Sequence, residues 1–226
     1  MKNIIVTAGG TSEKIDNVRK ITNSSTGKLG MKIALELLKK YNDVKIYYVC
    51  SRNSLRPINY RVEVIEIDGT MDLKNNIEKL LTQNKIDYFI HSMAVSDYMV
   101  DYVTNLESIK NNNIKVISGN KISSNEDNLV IVLKPTPKII SIIKNISPET
   151  YLVGFKLLDG VSKKELISVA KKLRDKNKCD LVVANDLENI RKGNHKAYII
   201  DKKDEIEEVN GKDVIAKQLV RRLGYE

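Results

Sequence analysis

The chain opens on a short apolar run, Asn3–Ala8, that stops at Gly9-Gly10. A run of this length, bounded by glycines, predicts a buried strand meeting a tight turn. A polar stretch to Lys28 follows. Leu29, Ile33, Ala34, Leu37 and Leu38 then recur at helical spacing, which predicts a helix laid on a sheet. Val44–Val49 predicts a second strand, and the alternating Val62–Ile67 a more exposed third. Met71–Thr82 predicts a helix and Tyr88–His91 a short buried strand. From Ser96 to Asn128 the pattern breaks. This stretch is rich in Asn, Ser, Asp and Lys, with apolar patches at Tyr98–Val103 and Ile114–Ile117, and predicts an excursion from the core, a flap or arm. Leu129–Leu133 predicts a resumed strand, and Lys138–Lys144 a helix entered through Pro135 and Pro137. Leu152–Phe155 and Asp180–Ala184 predict strands around a basic helix over Lys163–Lys176. Ala197–Ile200 and Ile206–Val209 predict a terminal hairpin, and Asp213–Leu223 a closing helix.

Strand and helix patterns thus alternate. The fold class they predict is α/β: a doubly wound, mostly parallel, Rossmann-like sheet with helices on both faces. The 226 residues fit a single domain, 1–226, with 96–128 as an inserted flap or dimerisation arm. Ligands of such sheets bind beyond the carboxyl ends of the strands. The unusual segments fall there: Gly9–Thr11, His91–Asp97, Phe155 onward and Asn185-Asp186.

Charge narrows the partner. There are 38 Lys and Arg against 29 Asp and Glu, a formal net charge of +9. The excess favours an anionic partner and does not by itself separate nucleic acid from phosphorylated metabolites. Two cysteines exclude a disulfide framework and a four-cysteine zinc site, and two histidines leave little for a histidine-rich metal centre. No run approaches the roughly 18 apolar residues of a membrane span. The first strand begins at Asn3, leaving no room for a signal peptide. A cytoplasmic protein without a membrane partner is expected.

Gly9-Gly10-Thr11 after the first strand, and Asn23–Gly30 running into the first helix, form the strongest local signal. Glycines allow close backbone approach, and open amides at a helix start attract phosphate. Neither GxGxxG nor GxxxxGK[ST] is present, so a ligand-free Ser/Thr/Gly helix cap is the competing reading. Arg19 can clamp a phosphate or carboxylate, and Asn23 can hold a carbonyl; both can equally brace a loop. Asp97 and Asp186 read as ribose or magnesium ligands or as turn caps. Lys172 and Lys176, one turn apart, can grip a polyphosphate or form a solvated helix face. Lys121 alone reads as a surface lysine. Phe155 suits either a base or the core. His91 reads as a satisfied core histidine, and His195 and Cys179 show no catalytic constellation.

The run TAGGTSEKIDNVRKITNSSTGKLG, followed by AVSD at Ala94–Asp97, TPKII at Thr136–Ile140, VGF at Val153–Phe155 and CDLVVAND at Cys179–Asp186, resembles the phosphopantothenoylcysteine synthetase (phosphopantothenate–cysteine ligase) family along essentially the whole chain. The resemblance implies a stand-alone bacterial ligase of coenzyme A biosynthesis. Its reaction would join 4′-phosphopantothenate and L-cysteine, with CTP as co-substrate and Mg2+ as cofactor. An acyl-cytidylate intermediate would lead to phosphopantothenoylcysteine, CMP and diphosphate. It implies Asn23, Arg19 and Lys121 as catalytic residues. It implies Gly9, Gly10, Ser25, Gly27, Asp97, Lys121, Pro137, Lys138, Ile139, Ile140, Phe155, Lys172 and Lys176 as nucleotide-binding residues, with the metal ligands unassigned. It also implies a homodimer formed through the flap. The flap departs from the family pattern: Asn120-Lys121-Ile122-Ser123-Ser124 lacks basic charge that relatives carry there.

Two other readings compete. A nicotinamide-dependent oxidoreductase on this fold lacks its glycine fingerprint and an acidic residue after the second strand. A nucleic-acid-binding module has the charge but no recognisable motif or aromatic platform, so no nucleic-acid partner is expected.

Overall fold

The computed structural model describes residues 1–223. In chain order the elements are β1 (Lys2–Ala8), β2 (Ser12–Lys14), β3 (Lys20–Thr22), α1 (Lys28–Lys40), β4 (Val44–Ser51), β5 (Val62–Ile67), α2 (Thr70–Gln83), β6 (Tyr88–His91), β7 (Tyr98–Asn105) and α3 (Leu106–Lys110). They continue as β8 (Leu129–Pro135), α4 (Ile139–Ile146), β9 (Tyr151–Leu158), α5 (Lys163–Asn177), β10 (Leu181–Asp186), α6 (Leu187–Arg191), β11 (Lys196–Asp201), β12 (Ile206–Asn210) and α7 (Lys212–Arg222).

Eight strands form the main sheet in the order β12-β11-β10-β9-β6-β1-β4-β5. The six from β10 to β5 are parallel, and β11 and β12 add antiparallel at one edge. This is the expected mostly parallel α/β sheet, with β11 and β12 as the expected terminal hairpin. Apolar residues on alternate positions divide between two cores. Ile4, Val6 and Ala8 of β1 pack with Ile33 and Leu37 of α1 and Ile215 and Leu219 of α7 on one face. Ile5 packs with the layer of α2, α4 and α5 on the other, through residues such as Ile77, Ile143 and Leu166. β5 is largely exposed, as its position at the edge requires.

From β1 the chain winds outward to β4 and β5, then returns to place β6 on the other side of β1 and continues to β9 and β10. The winding direction therefore reverses between β1 and β6, where such sheets open a ligand crevice.

The excursion differs from expectation in extent. β8 does not rejoin the main sheet; it pairs antiparallel with β7 as a separate two-stranded arm. The arm with its intervening segment thus runs from Tyr98 to Pro135, past the expected end at residue 128. An apolar run predicts a strand but not the partner it will pair with.

Candidate functional site

A cavity of about 750 Å3 lies across the carboxyl ends of β6, β9 and β10, beside the start of α1. Its walls come from the start of α1, the 91–97 turn, the 136–141 segment, β9, α5, and residues near α7.

The glycine turn builds its floor without lining it. The loop carrying Asn23 crosses directly over Gly10, whose added Cβ would stand 2.0 Å from the Asn23 carbonyl oxygen. Only glycine permits that crossing. The Asn23 N–H donates to the Thr11 carbonyl at 3.1 Å, and its side-chain amide donates to the Ala94 carbonyl at 3.3 Å. The Ala94 N–H in turn donates to the Gly9 carbonyl at 2.8 Å, and the Ser96 N–H to Thr11 Oγ1 at 2.9 Å. These bonds stitch the two strand exits at the reversal point together. Gly27 adopts φ 70° and starts α1 with no side-chain cap.

Ten of the expected residues meet on the cavity wall: Ser25, Gly27, Asp97, Pro137, Lys138, Ile139, Ile140, Phe155, Lys172 and Lys176. The Asp97 carboxylate is paired with the Lys138 ammonium. Phe155 is partly buried and also packs on the core beneath α1 and α7. Gly9, Gly10, Arg19, Asn23 and Lys121 are not on the wall. Arg19 is engaged elsewhere: Nε and Nη2 donate to Asp16 Oδ2 at 3.0 and 2.5 Å, and Nη2 donates to the Ile122 carbonyl at 2.8 Å. Lys121 stands on that pinned strip, exposed. Asp186 is a cap; its carboxylate accepts from the N–H groups of Val161, Glu188, Gly160 and Asn189. Those bonds, Val161's first, hold it below the usual carboxylate range.

Both histidines line the cavity. His91 Nδ1 lies 2.9 Å from Thr7 Oγ1, and burial pushes its imidazole down to about 4. That is the satisfied histidine expected. For His195 no constellation was expected, yet it shares the wall with Asn185 and Lys212; burial, then the Lys212 charge, push it down to about 4. Lys156 and Lys212 also escaped the sequence reading. Lys212 is brought in by α7 packing on α1, across more than 180 residues of chain, and no local pattern announces that.

Charge is the dominant feature. Among the described residues, Lys28, Lys156, Lys172, Lys176 and Lys212 line the cavity with no carboxylate in ion-pair range. They divide by face: Lys172 and Lys176 come from α5 on one side of the sheet, Lys28 and Lys212 from α1 and α7 on the other. Among the described residues no three His, Cys, Asp or Glu side chains stand together to hold a metal ion.

Residues 1–224 match the family described as DNA/pantothenate metabolism flavoprotein C-terminal domain. The chain is 37% identical over 187 residues to the coenzyme A biosynthesis bifunctional protein CoaBC of Thermococcus kodakarensis, spanning 82% of this chain and 41% of that protein. It therefore spans less than half of that relative. A crystal structure of the DNA/pantothenate metabolism flavoprotein from Streptococcus pneumoniae superimposes with a TM-score of 0.87 at 37% identity, over 99% of this chain and 98% of that one. A mutant of Cab2 in complex with phosphopantothenate-cysteine shares the fold, with a TM-score of 0.72 at 18% identity over 98% of this chain and 86% of that one.

These findings correct the expectation of a stand-alone, CTP- and magnesium-dependent ligase. The matched family is described by a flavoprotein, and the relative is a bifunctional protein; neither description names a ligase, CTP or magnesium. The expected substrate set of separate phosphopantothenate, cysteine and CTP falls with the expected ligase.

The flavin implied by the family description belongs to a protein of which the matched part is the C-terminal domain. The cavity residues do not fit it. A flavin with a single phosphate answers one group of unpaired lysines and leaves the group on the opposite face against a neutral ring system. Among the described residues, Phe155 is the one aromatic ring on the wall besides the two imidazoles.

Proposed function

We propose that this chain, which belongs to the DNA/pantothenate metabolism flavoprotein C-terminal domain family, binds 4′-phosphopantothenoylcysteine in coenzyme A biosynthesis. The observation that carries the reading is the two groups of lysines, held in no ion pair among the described residues, that face one cavity from opposite sides of the sheet. The compound is long and carries an anion at each end, a phosphate and the cysteine carboxylate. Between them lies an amide-bearing chain suited to the apolar strip of Val95, Ile140, Phe155 and Leu173. Ammonium groups without protein counter-ions gain most from such a ligand, since each charge-assisted contact is stronger than a neutral hydrogen bond. The reading places the chain in the cytoplasm. Among the described residues no helix is long and apolar enough to cross a membrane.

Of the residues expected at the site, we assign binding to those on the wall, with Lys172 and Lys176 as anion contacts. Asn23 shapes the turn beneath. Arg19 and Lys121 belong to the strip that joins the arm to the β2–β3 loop.

Isothermal titration with 4′-phosphopantothenoylcysteine tests the reading. Saturable binding is expected in the micromolar range, weakened at least about tenfold by Lys172→Ala. Absence of binding by folded protein would sink it. Mass spectrometry of the recovered ligand, with and without added flavin mononucleotide, reports whether carbon dioxide is lost on this chain.

A further inference from the structure

Satisfied at Nδ1, the His91 ring is open at Nε2. Thr7, His91 and Gly154 stand in register across β1, β6 and β9, on the face covered by α2, α4 and α5. Thr7 Oγ1 accepts from the Met93 N–H at 3.3 Å, so its own proton is free for the imidazole nitrogen 2.9 Å away. Nδ1 is then the acceptor, and the ring proton belongs on Nε2. The opposite tautomer would aim a second donor at Thr7 Oγ1 and leave the hydroxyl proton without an acceptor among the described residues. Burial pushes the imidazole down to about 4, so near neutrality the ring carries one proton. Nε2 has no hydrogen-bond partner among the described residues, although His91 is only 8% exposed. The nitrogen is not sealed off, and the cavity that His91 lines is where it opens. Beside it, Ile140, Leu173 and Cys179 close over Gly154, each 3.2 Å from an added Cβ, and the two aliphatic side chains offer no acceptor. The lysines of the wall are donors like Nε2 itself, and the Asp97 carboxylate is taken by Lys138. A neutral imidazole in such surroundings suits an amide carbonyl; one neutral donor does not offset the desolvation of an anion.

We propose that the Nε2–H of His91 is a specificity contact that donates to an amide carbonyl of the bound ligand. The identity of that ligand rests on the function proposed above: the contact holds an amide of 4′-phosphopantothenoylcysteine against Ile140 and Leu173, between its two anionic ends. The recognition of an amide does not rest on that reading. A ligand with only apolar atoms at this point would leave the donor buried and unpaired, and that is how the residue selects.

Nitrogen-15 NMR of histidine-labelled protein at neutral pH reads the tautomer, with His91→Gln identifying the His91 signals. The ring proton should reside on Nε2; a proton on Nδ1 overturns the proposal. The same sample is titrated with 4′-phosphopantothenoylcysteine and with N-methylacetamide, a bare amide. Both should shift the Nε2 resonance more than that of Nδ1. Affinities are then compared for wild type, His91→Phe, which keeps a ring without a donor, and His91→Gln, whose side-chain amide can still donate. Circular dichroism checks each fold. His91→Phe should weaken 4′-phosphopantothenoylcysteine about tenfold, the effect of leaving one buried hydrogen-bonding group unpaired, and His91→Gln should restore most of it. Should His91→Phe misfold, the wild-type resonances decide alone. Binding of 4′-phosphopantothenoylcysteine that leaves Nε2 unmoved, or that His91→Phe does not weaken, overturns the contact and spares the proposed ligand. An Nε2 shift with N-methylacetamide alone keeps the contact and defeats the proposed ligand. No shift with either compound removes the contact.

Discussion

At the scale of single residues, His91 shows how the cavity constrains its own chemistry. Its ring is buried at the end of β6, held by Thr7 Oγ1 and set edge-on to Phe89 at 5.8 Å. Burial pushes it from 6.5 down to about 4. The unfolded chain therefore binds this proton more readily than the folded one does. The stability associated with neutral His91 is full above about pH 6.5, falls as the pH drops toward 4, and then levels off. Two to three pH units correspond to about 3 kcal/mol. Urea unfolding of wild type and His91→Asn between pH 7 and pH 4 should show a steeper loss in wild type. Carboxylates and His195 titrate in both proteins, so the difference isolates His91. Parallel curves would show that the ring accepts a proton without cost.

At the scale of elements, the arm is held by a small set of bonds. Asp16 accepts from the N–H groups of Val18 at 2.8 Å and Arg19 at 2.7 Å with one oxygen, and from Ile122 N–H at 3.0 Å with the other. Asn17 N–H donates to the Asn120 carbonyl at 3.1 Å, and the Ile122 side chain is buried. The Arg19 guanidinium, then the Ile122 amide, hold the Asp16 carboxyl well below the usual carboxylate range. The latch is therefore present above the ordinary carboxylate pKa and is lost only as the pH falls into strong acid. Asp16→Asn should raise amide hydrogen exchange at Ile122 and its neighbours by about tenfold or more, with the main sheet unchanged. Equal protection in the variant would mean that Asp16 holds nothing.

The latch also marks where sequence reading stops. The motif around Asp16 and Arg19 was visible, and so were the glycine turn, the parallel strands and the basic helix α5. What Arg19 touches was not, because Ile122 lies more than a hundred residues away. β8 read as a core strand for the same reason: its apolar pattern is satisfied equally by β7 and by the main sheet. The short β2, β3, α3 and α6 carry too few residues for a periodicity to register. Lys212 is the sharpest case, since its role depends entirely on how two helices distant in sequence pack.

At the scale of the whole molecule, the arm stands outside both cores and presents apolar side chains to solvent. Tyr98 is 55% exposed, Ile114 53% and Val116 59%. Residues 115–117 run along β7: the Ile117 N–H donates to the Val103 carbonyl, and Thr104 Oγ1 donates to the Lys115 carbonyl, both at 2.8 Å. Extended backbone there sends Ile114 and Val116, two residues apart, to the same side. Isolated exposed apolar residues are ordinary, but several gathered on a projecting arm mark an interaction surface. We take that surface to be the dimer contact, because a second copy supplies the same apolar strip and a two-fold axis lets each arm cover the other. Light scattering after size exclusion should give twice the chain mass at micromolar concentration. Ile114→Asp/Val116→Asp should shift the protein to the single-chain mass while leaving the far-ultraviolet circular dichroism of the main sheet intact, since neither side chain enters either core. A wild-type monomer, or a dimer indifferent to both aspartates, would remove the arm from the interface.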